Sequence, residues 1–456
     1  MLANRRTTLA LLVSTALTAV APITAARGQR KPNFIIILCD DLGYGDIEPT
    51  GGSMIPTPQL NRMARQGTVL TDYYAPQNIC TPSRAGLLTG RYPIRSGLAW
   101  GAILQADTRV LPLTEMTIPA ALKSAGYVSG LFGKWHLGHL GPAWQPTRHG
   151  FDRFVGIPYS HDMQPLKLFT DTGPEVAPTS EVPVMSELQQ RFYAEAEQFI
   201  EANKDRPFFV ELALSAPHLA NYPNAKYRAP GMQSAYGQVV EEIDAIVGRL
   251  LDKLRLLGLD RDTLVIFTSD NGPWYEGSSG KLRDRKGGAG YDGGYRVPCI
   301  AWQPGTVPAG KRCNSITMGI DFLPTFCAMA GQTVPSADVI DGKDISAVLT
   351  RCAPSPHDAL LLFDDEEVTA VRTQKWKYVV QTYFHGRLMA VDNRYPQLYD
   401  MAADPGENYS VNARYPEVVT EMKARLAAAR ATFGPLKRGM PSFGMPNERN
   451  IPAQRD

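Results

Sequence analysis

Five continuous apolar runs rich in β-branched and aromatic residues punctuate the chain: Asn33 to Leu38, Tyr127 to Phe132, Phe208 to Leu214, Thr263 to Thr268 and Val297 to Trp302. A strand with one wet face alternates apolar and polar residues, so runs without alternation need cover on both faces. The cover is also encoded. Pro58 to Gln66, Ile118 to Ala125 and Ala235 to Leu257 have helical apolar spacing, and the last two stop at Gly126 and Gly258, where glycine closes a helix without steric cost. Strand and helix in alternation specify an α/β fold with a mainly parallel sheet between helical layers. A chain of 456 residues, 44% hydrophobic, can fill such a core, and its 40 Gly and 36 Pro, spread without a period, imply many loops and exclude collagen-like repeats.

The two ends read differently. Arg5-Arg6, an apolar stretch from Leu9 to Val20 and the small residues Thr24-Ala25-Ala26 make residues 1–26 a secretory signal. Export to the periplasm or the exterior is expected; Asn4 to Leu9 resembles a twin-arginine string, but the ordinary secretory route is favoured. The apolar core is short for a membrane span and no later segment sustains one, so the chain is not expected to span a membrane. Cleavage removes two of 47 basic residues and none of 45 acidic ones, taking the formal charge from +2 to zero. No basic run tracks a phosphate backbone, which argues against nucleic-acid binding.

After Leu360 come short strand candidates at Val368 to Val371 and Trp376 to Gln381, a turn-rich Tyr399-Asp400…Asp404-Pro405-Gly406, and a helix from Pro416 to Phe433. Residues 27–360 are therefore expected to form the large α/β domain, and 361–456 a small α+β subdomain with an irregular tail from Gly434. Six cysteines are too few for a disulfide scaffold. Cys39 and Cys299, in strand runs, read as buried thiols. Cys313, Cys327 and Cys352 can supply at most one disulfide among themselves.

In open α/β sheets ligands bind outside the carboxyl ends of the strands. Polar residues gather there: Asp40-Asp41 after the first run, Lys134 and His136 after the second, His218 after the third, Asp270-Asn271 after the fourth. Singly, an Asp pair is often a turn and a lone His often structural. Together, Asp40, Asp41, Asp270 and Asn271 offer only hard oxygen ligands, which favours Ca²⁺ or Mg²⁺ over a transition metal. Three converging carboxylates would repel one another, and a divalent ion is the simplest neutralising partner. Cys80-Thr81-Pro82-Ser83-Arg84-Ala85-Gly86-Leu87-Leu88-Thr89-Gly90 outlines a short helix with Thr81 as cap and Cys80 just before its N-terminus. Helix starts favour anions, so the physics alone suggests a cysteine nucleophile of low pKa.

Cys80-x-Pro82-x-Arg84 followed by Ala-Gly-Leu-Leu-Thr-Gly-Arg91 resembles the signature of type I sulfatases, in which the cysteine is oxidised to Cα-formylglycine. The resemblance extends to Asp40-Asp41-Leu-Gly-Tyr-Gly-Asp46, Gly133-Lys134-Trp135-His136-Leu137-Gly138, Ser269-Asp270-Asn271-Gly272, Gly293-Gly294-Tyr295-Arg296-Val297-Pro298 and Leu398-Tyr399-Asp400…Asp404-Pro405…Glu407. So many blocks in order are far more specific than any one motif. Gly156 to Asp162 resembles the substrate-pocket segment of the arylsulfatase A-like branch, which implies that Ser160 touches the bound ester. Two departures stand out. The loop Gly287 to Asp292 after Lys286 is one residue longer than the usual pattern and ends in Asp instead of Glu, and Leu219-Ala220 replace the small polar residue and proline that often follow the histidine.

The resemblance implies an alkaline-phosphatase-like sandwich and a calcium-dependent sulfuric ester hydrolase matured by a formylglycine-generating enzyme. Its substrates would be sulfated carbohydrates or aryl sulfates. Asp40, Asp41, Asp270, Asn271 and the modified Cys80 would bind the metal. The hydrated aldehyde would attack sulfur with help from Asp270, His136 would deprotonate its second hydroxyl to expel sulfate, and His218 would protonate the leaving alcohol. Arg84 would orient the hydrate, while Lys134, Lys286 and the metal stabilise the sulfuryl oxygens. Phosphonate or phosphate ester hydrolysis, or sulfate-ester binding without turnover should Cys80 stay unoxidised, are the alternatives.

Overall fold

The computed structural model describes residues 30–227, 234–384, 387–391 and 395–440; the expected signal segment and the last part of the expected tail lie outside them. In chain order the elements that build the site are β1 (Asn33–Asp40), α1 (Pro58–Gln66), β2 (Thr68–Leu70), α2 (Cys80–Thr89), α3 (Ile118–Lys123), β3 (Val128–Lys134), β4 (Arg153–Ile157), β5 (Leu168–Asp171) and β6 (Thr179–Glu181). Then come α4 (Leu188–Ala202), β7 (Phe208–Pro217), α5 (Ala235–Leu256), β8 (Thr263–Ser269), β9 (Cys299–Trp302), β10 (Lys311–Cys313) and α6 (Phe322–Met329). The strands form one ten-stranded sheet in the order β10-β2-β9-β8-β1-β7-β3-β4-β5-β6.

The five central strands β8, β1, β7, β3 and β4 run parallel. The Val297 to Trp302 run departs from the mainly parallel expectation: only Cys299–Trp302 pairs, and it runs antiparallel to β8. β5 and β6 extend the other edge in antiparallel fashion. These strands are short and partly exposed, so no long apolar run marks them in the sequence.

Every residue of β1 is buried, and its side chains divide between two layers. Ile35 and Ile37 join α1, α4 and α5, through residues such as Phe192 and Ile243, whereas Phe34, Ile36 and Leu38 join α2, α3 and α6, through Leu88, Leu122 and Phe326. The result is an alkaline-phosphatase-like α/β/α sandwich. Each such buried aliphatic side chain contributes roughly 1.5–3 kcal/mol. The helix starts are as local as the stops: Ser234 accepts from the Gly237 N–H at 3.2 Å to open α5, and Thr117 accepts from Ala120 to open α3. Gly258 and Gly126 follow α5 and α3 at φ 67° and 85°.

A second sheet is antiparallel throughout, formed by β11 (Leu360–Asp364), β12 (Glu367–Arg372), β13 (Trp376–Val379) and β14 (Gln397–Asp400). Helix α7 (Pro416–Phe433) packs on it through Met422, Leu426 and Phe433. Its core also takes in Tyr74, Tyr92, Tyr291, Tyr295 and Met318 from earlier in the chain. The run Trp376 to Gln381 divides at Val380, with a hairpin strand starting at Gln381. Cys313 and Cys352 form the one disulfide, leaving Cys327, Cys39, Cys80 and Cys299 as buried thiols. Among the described residues, no helix is long and apolar enough to cross a membrane.

Candidate active site

Parallel register brings the functional side chains to one edge. Cys39 pairs with Ser269 and Asp40 with Pro217, so β1, β8 and β7 release Asp41, Asp270 and His218 at one level. β3 releases Lys134 and His136 beside them. Asp41 and His136 hold left-handed backbone, at φ 66° and 59°. Such conformations are costly for residues other than glycine and concentrate at functional sites.

Helix α2 drops into this edge. Its first residue is Cys80, capped by the extended backbone of Ile79, and Gly90 closes it at φ 68°. Thr81 is not the cap. Its hydroxyl donates to the His136 carbonyl at 2.9 Å and accepts from the Ile103 N–H at 3.0 Å, stitching α2 to two loops. Ser83, given no role in the sequence, donates its hydroxyl to the Asp270 carbonyl.

The Cys80 Sγ lies 3.4 Å from Asp40 Oδ1 and 3.9 Å from Asp41 Oδ1. Ligand atoms of Asp40, Asp41, Cys80 and Asp270 all fall within 4.8 Å of one another. This overturns the reading of Cys80 as a low-pKa thiolate. Burial pushes its thiol well above the ordinary value, and Asp40 and Asp270 oppose what Lys134 and Lys286 would lower. A thiolate facing carboxylates is the wrong charge in the wrong place.

Three bases answer the three acids. Lys134 Nζ lies 2.5 Å from Asp40 Oδ2 and 2.9 Å from Ser160 Oγ. Arg84 Nε donates to Asp270 Oδ2 at 2.8 Å, its Nη1 to the Lys134 carbonyl at 2.8 Å, and its Nη2 approaches Asp40 at 3.7 Å. Lys286 Nζ donates to Asp41 Oδ2 at 2.7 Å. Each of the three carboxylates thus already faces a cation of the chain, which the sequence did not show, so neutralisation does not rest on a divalent ion alone. Burial alone would raise Asp40, yet Lys134, His218, Arg84 and Lys286 hold its carboxyl well below the usual range. Burial and then Asp40 push Asp270 up to about 7, against Arg84. Burial opposes the charge on Lys286, but Asp41 and the neighbouring acids raise its pKa.

A cation is suggested instead by an orphan. Asn271 donates its Nδ2 to Asp41 Oδ1 and to the Gly272 carbonyl, both at 2.8 Å, while its buried Oδ1 has no donor. An unpartnered amide oxygen beside clustered carboxylates fits a hard divalent ion.

The histidines are fixed by backbone carbonyls. His218 Nδ1 donates to the Leu219 carbonyl at 2.5 Å and its Nε2 faces Asp41 Oδ2 at 3.7 Å. His136 Nε2 donates to the Ile103 carbonyl at 3.0 Å, so its buried, unpartnered Nδ1 carries the lone pair. Burial, then Lys134 and Arg84, hold His136 well below the usual imidazole range and keep it neutral. All the residues singled out in the sequence thus join one network, with His136 attached through Thr81.

Three further contributors were given no role in the sequence, although His161 and Asp292 lie in segments singled out there. His161 packs edge-on at 5.7 Å from His218 and donates Nε2 to the Ala220 carbonyl at 2.8 Å. Glu211, mid-strand in β7, is buried beneath Arg84, and burial raises its carboxyl to about 7 despite that arginine. The longer loop after Lys286 ends in Asp292, which receives Lys377 Nζ at 2.6 Å, Tyr74 Oη at 3.0 Å and Arg296 at 3.4 Å. Glu407 faces Lys377 at 2.8 Å and accepts the Asp292 N–H at 2.7 Å, while Arg372 and Arg296 share Asp72.

The family model described as Sulfatase matches residues 32–332, and that described as the C-terminal region of aryl-sulfatase matches 355–453. Arylsulfatase A of Homo sapiens is 36% identical over 89% of this chain and 90% of its own length. N-acetylgalactosamine-6-sulfatase of Mus musculus is 36% identical over 72% of the chain and 68% of its own. The crystal structure of PsFucS1 sulfatase from Pseudoalteromonas sp. superposes with a TM-score of 0.83 at 28% identity, over 90% of this chain and 92% of that one.

Proposed function

Because this chain belongs to the sulfatase family and is a sulfuric ester hydrolase, we propose that it is exported and that it cleaves sulfate monoesters of carbohydrates or aryl alcohols at the cluster around Cys80. Asp40, Asp41, Asp270 and Asn271 would hold Ca²⁺, with Mg²⁺ the alternative of like chemistry. Cys80 would be oxidised to Cα-formylglycine by a formylglycine-generating enzyme acting on the Cys-x-Pro-x-Arg segment. The modified residue supplies a hydrated aldehyde as oxygen nucleophile, and the ion supplies Lewis-acid polarisation of the ester.

The chain's own residues account for the rest. Lys134, buried and tied to Ser160, and Lys286, part-buried beside Asp41, place two cations where sulfuryl oxygens accumulate charge. Arg84 orients the side chain at Cys80 through the same face that holds Asp270. His136 is a neutral base whose free Nδ1 accepts a proton. His218, with Nδ1–H engaged, offers Nε2 as donor to the departing alcohol. The observation that carries this reading is the placement of Cys80 Sγ against Asp40 and Asp41 with Lys134 and Lys286 on both sides.

Intact peptide mass spectrometry of fully active protein tests the modification: the Cys80 peptide is expected as the aldehyde, and a fully alkylatable thiol refutes it. Paired aryl sulfate and aryl phosphonate esters test the reaction, with sulfur preferred. Exhaustive chelation, checked by elemental analysis, is expected to abolish turnover.

A further inference from the structure

Directly after the Asp270-Asn271-Gly272-Pro273 corner the chain presents two aromatic rings to solvent. Of the tryptophans only Trp274 is exposed, at 40%, and Tyr275 beside it is 70% exposed. Their rings meet edge to face, with centroids 4.8 Å apart and planes at 82°. Large aromatic rings left in water gain nothing for the fold, so a pair beside a reaction centre is informative.

The turn that carries them is pinned. The Trp274 carbonyl accepts the Gly277 N–H at 3.3 Å and Arg285 Nη1 at 3.5 Å, and the Pro273 carbonyl accepts the Lys286 N–H at 3.1 Å. Gly277 has no room for a side chain, since a Cβ there would lie 2.3 Å from the Tyr236 hydroxyl. Arg285 covers Tyr275 at 4.9 Å. Lys286 joins this turn to the chemistry: its Nζ lies 5.9 Å from the Trp274 ring and 2.7 Å from Asp41 Oδ2. The indole therefore reaches from the site's cation out to solvent, in a position fixed before any ligand arrives.

We propose that the Trp274 face, backed by Tyr275, is the wall against which the ring carrying the sulfate ester lies. This rests on the sulfatase reading of Lys286. A pyranose offers its C–H face and an aryl group its π-face to an indole; both are the same recognition, and an open-chain ester has neither. The flanking Arg285 and Glu276 can meet hydroxyl groups on the ring edge.

The test compares Trp274→Leu and Trp274→Phe with wild type on p-nitrophenyl sulfate, glucose 6-sulfate and n-propyl sulfate, together with inhibition by inorganic sulfate. Trp274→Leu is expected to raise KM for one or both ring esters about three- to tenfold with kcat nearly unchanged, and Trp274→Phe to fall between. Which ring ester loses distinguishes sugar from aryl. Propyl sulfate kinetics and the inhibition constant of sulfate should not move. Unchanged ring esters overturn the proposal. So does an equal loss on propyl sulfate or sulfate ion, which would mean that Trp274 acts only by holding Lys286. A wild-type enzyme that cleaves none of the three esters would refute the proposed carbohydrate or aryl ester hydrolysis at the Cys80 cluster, and this inference with it.

Discussion

Lys134→Met separates the two duties of a buried cation. Lys134 Nζ sits 2.5 Å from Asp40 Oδ2, both fully buried, and at an effective dielectric of about 20 that attraction is roughly 7 kcal/mol before desolvation is subtracted. Methionine fills the same volume and leaves Asp40 charged. Arg84 remains 3.7 Å away, so the net cost should lie at the low end of the range for breaking a buried pair, about 3 kcal/mol. At about 2 cal/mol/K of unfolding entropy per residue, a domain of this size should lose only ~3–4 °C in Tm. The kinetic loss should be much larger: kcat/KM on an aryl sulfate should fall about 10²–10³-fold, as when one preorganised charge stabiliser is removed. Calcium affinity should hold or rise, because a neighbouring positive charge is gone. Scanning fluorimetry, initial rates and calcium titration read the three quantities. A variant with wild-type Tm and rates within about threefold would refute the reasoning, as would a fall in calcium affinity parallel to the fall in rate.

His218→Ala should damage sugar sulfates about 10²–10⁴-fold and nitrophenyl sulfate far less, because only a poor leaving group needs the proton; equal losses in kcat/KM would place His218 on the sulfate instead. Asn271→Ala and Asp41→Ala should each weaken calcium binding measured by titration, since each removes a hard oxygen, and unaltered affinity would dismiss the metal assignment. Glu211 supplies the pH test. Its folded pKa of about 7 exceeds the unfolded value near 4.3, so the folded state keeps the proton longer and Glu211 loses stability, on the order of 3–4 kcal/mol, as pH rises between them. Glu211→Gln should therefore gain in Tm over wild type progressively from about pH 4 to pH 7 and then level off; a gain independent of pH would mean Glu211 is ionised throughout.

The fold was legible where hydrophobic period decides structure. Runs without alternation marked the central strands, and Gly126 and Gly258 marked helix ends, because both signals are local. The edge strands were hidden, being three or four residues long and partly exposed, and the antiparallel direction of Cys299–Trp302 depends on where the chain re-enters the sheet. The positions of the site residues followed from strand ends and motif, but not their pairing. Nothing local says that Lys134 meets Asp40 or that Lys286 meets Asp41, so the balance of charge, and with it the protonation of Cys80, could not be read. Thr81 looked like a helix cap because Thr before Pro commonly is one; in the fold its hydroxyl serves loops far away in sequence.

Lys286 stands on a loop whose far end is moored outside the main sandwich. Asp292 is met by Lys377 of β13, and Asp72 by Arg372 of β12, in a buried set of acids and bases that ties the small sheet to loops of the large domain. A chain cut before Leu360 would take Arg372 from Asp72 and Lys377 from Asp292, leaving Arg296 as the one cation for both acids, and would loosen the mooring of Lys286, though no residue after Leu360 touches Cys80 in the described contacts. Chimeras between relatives would meet the same obstacle: the small sheet is interchangeable only when Asp72, Asp292, Arg296, Arg372, Lys377 and Glu407 travel together, which makes the part after Leu360 a foundation for the catalytic loop instead of an appendage.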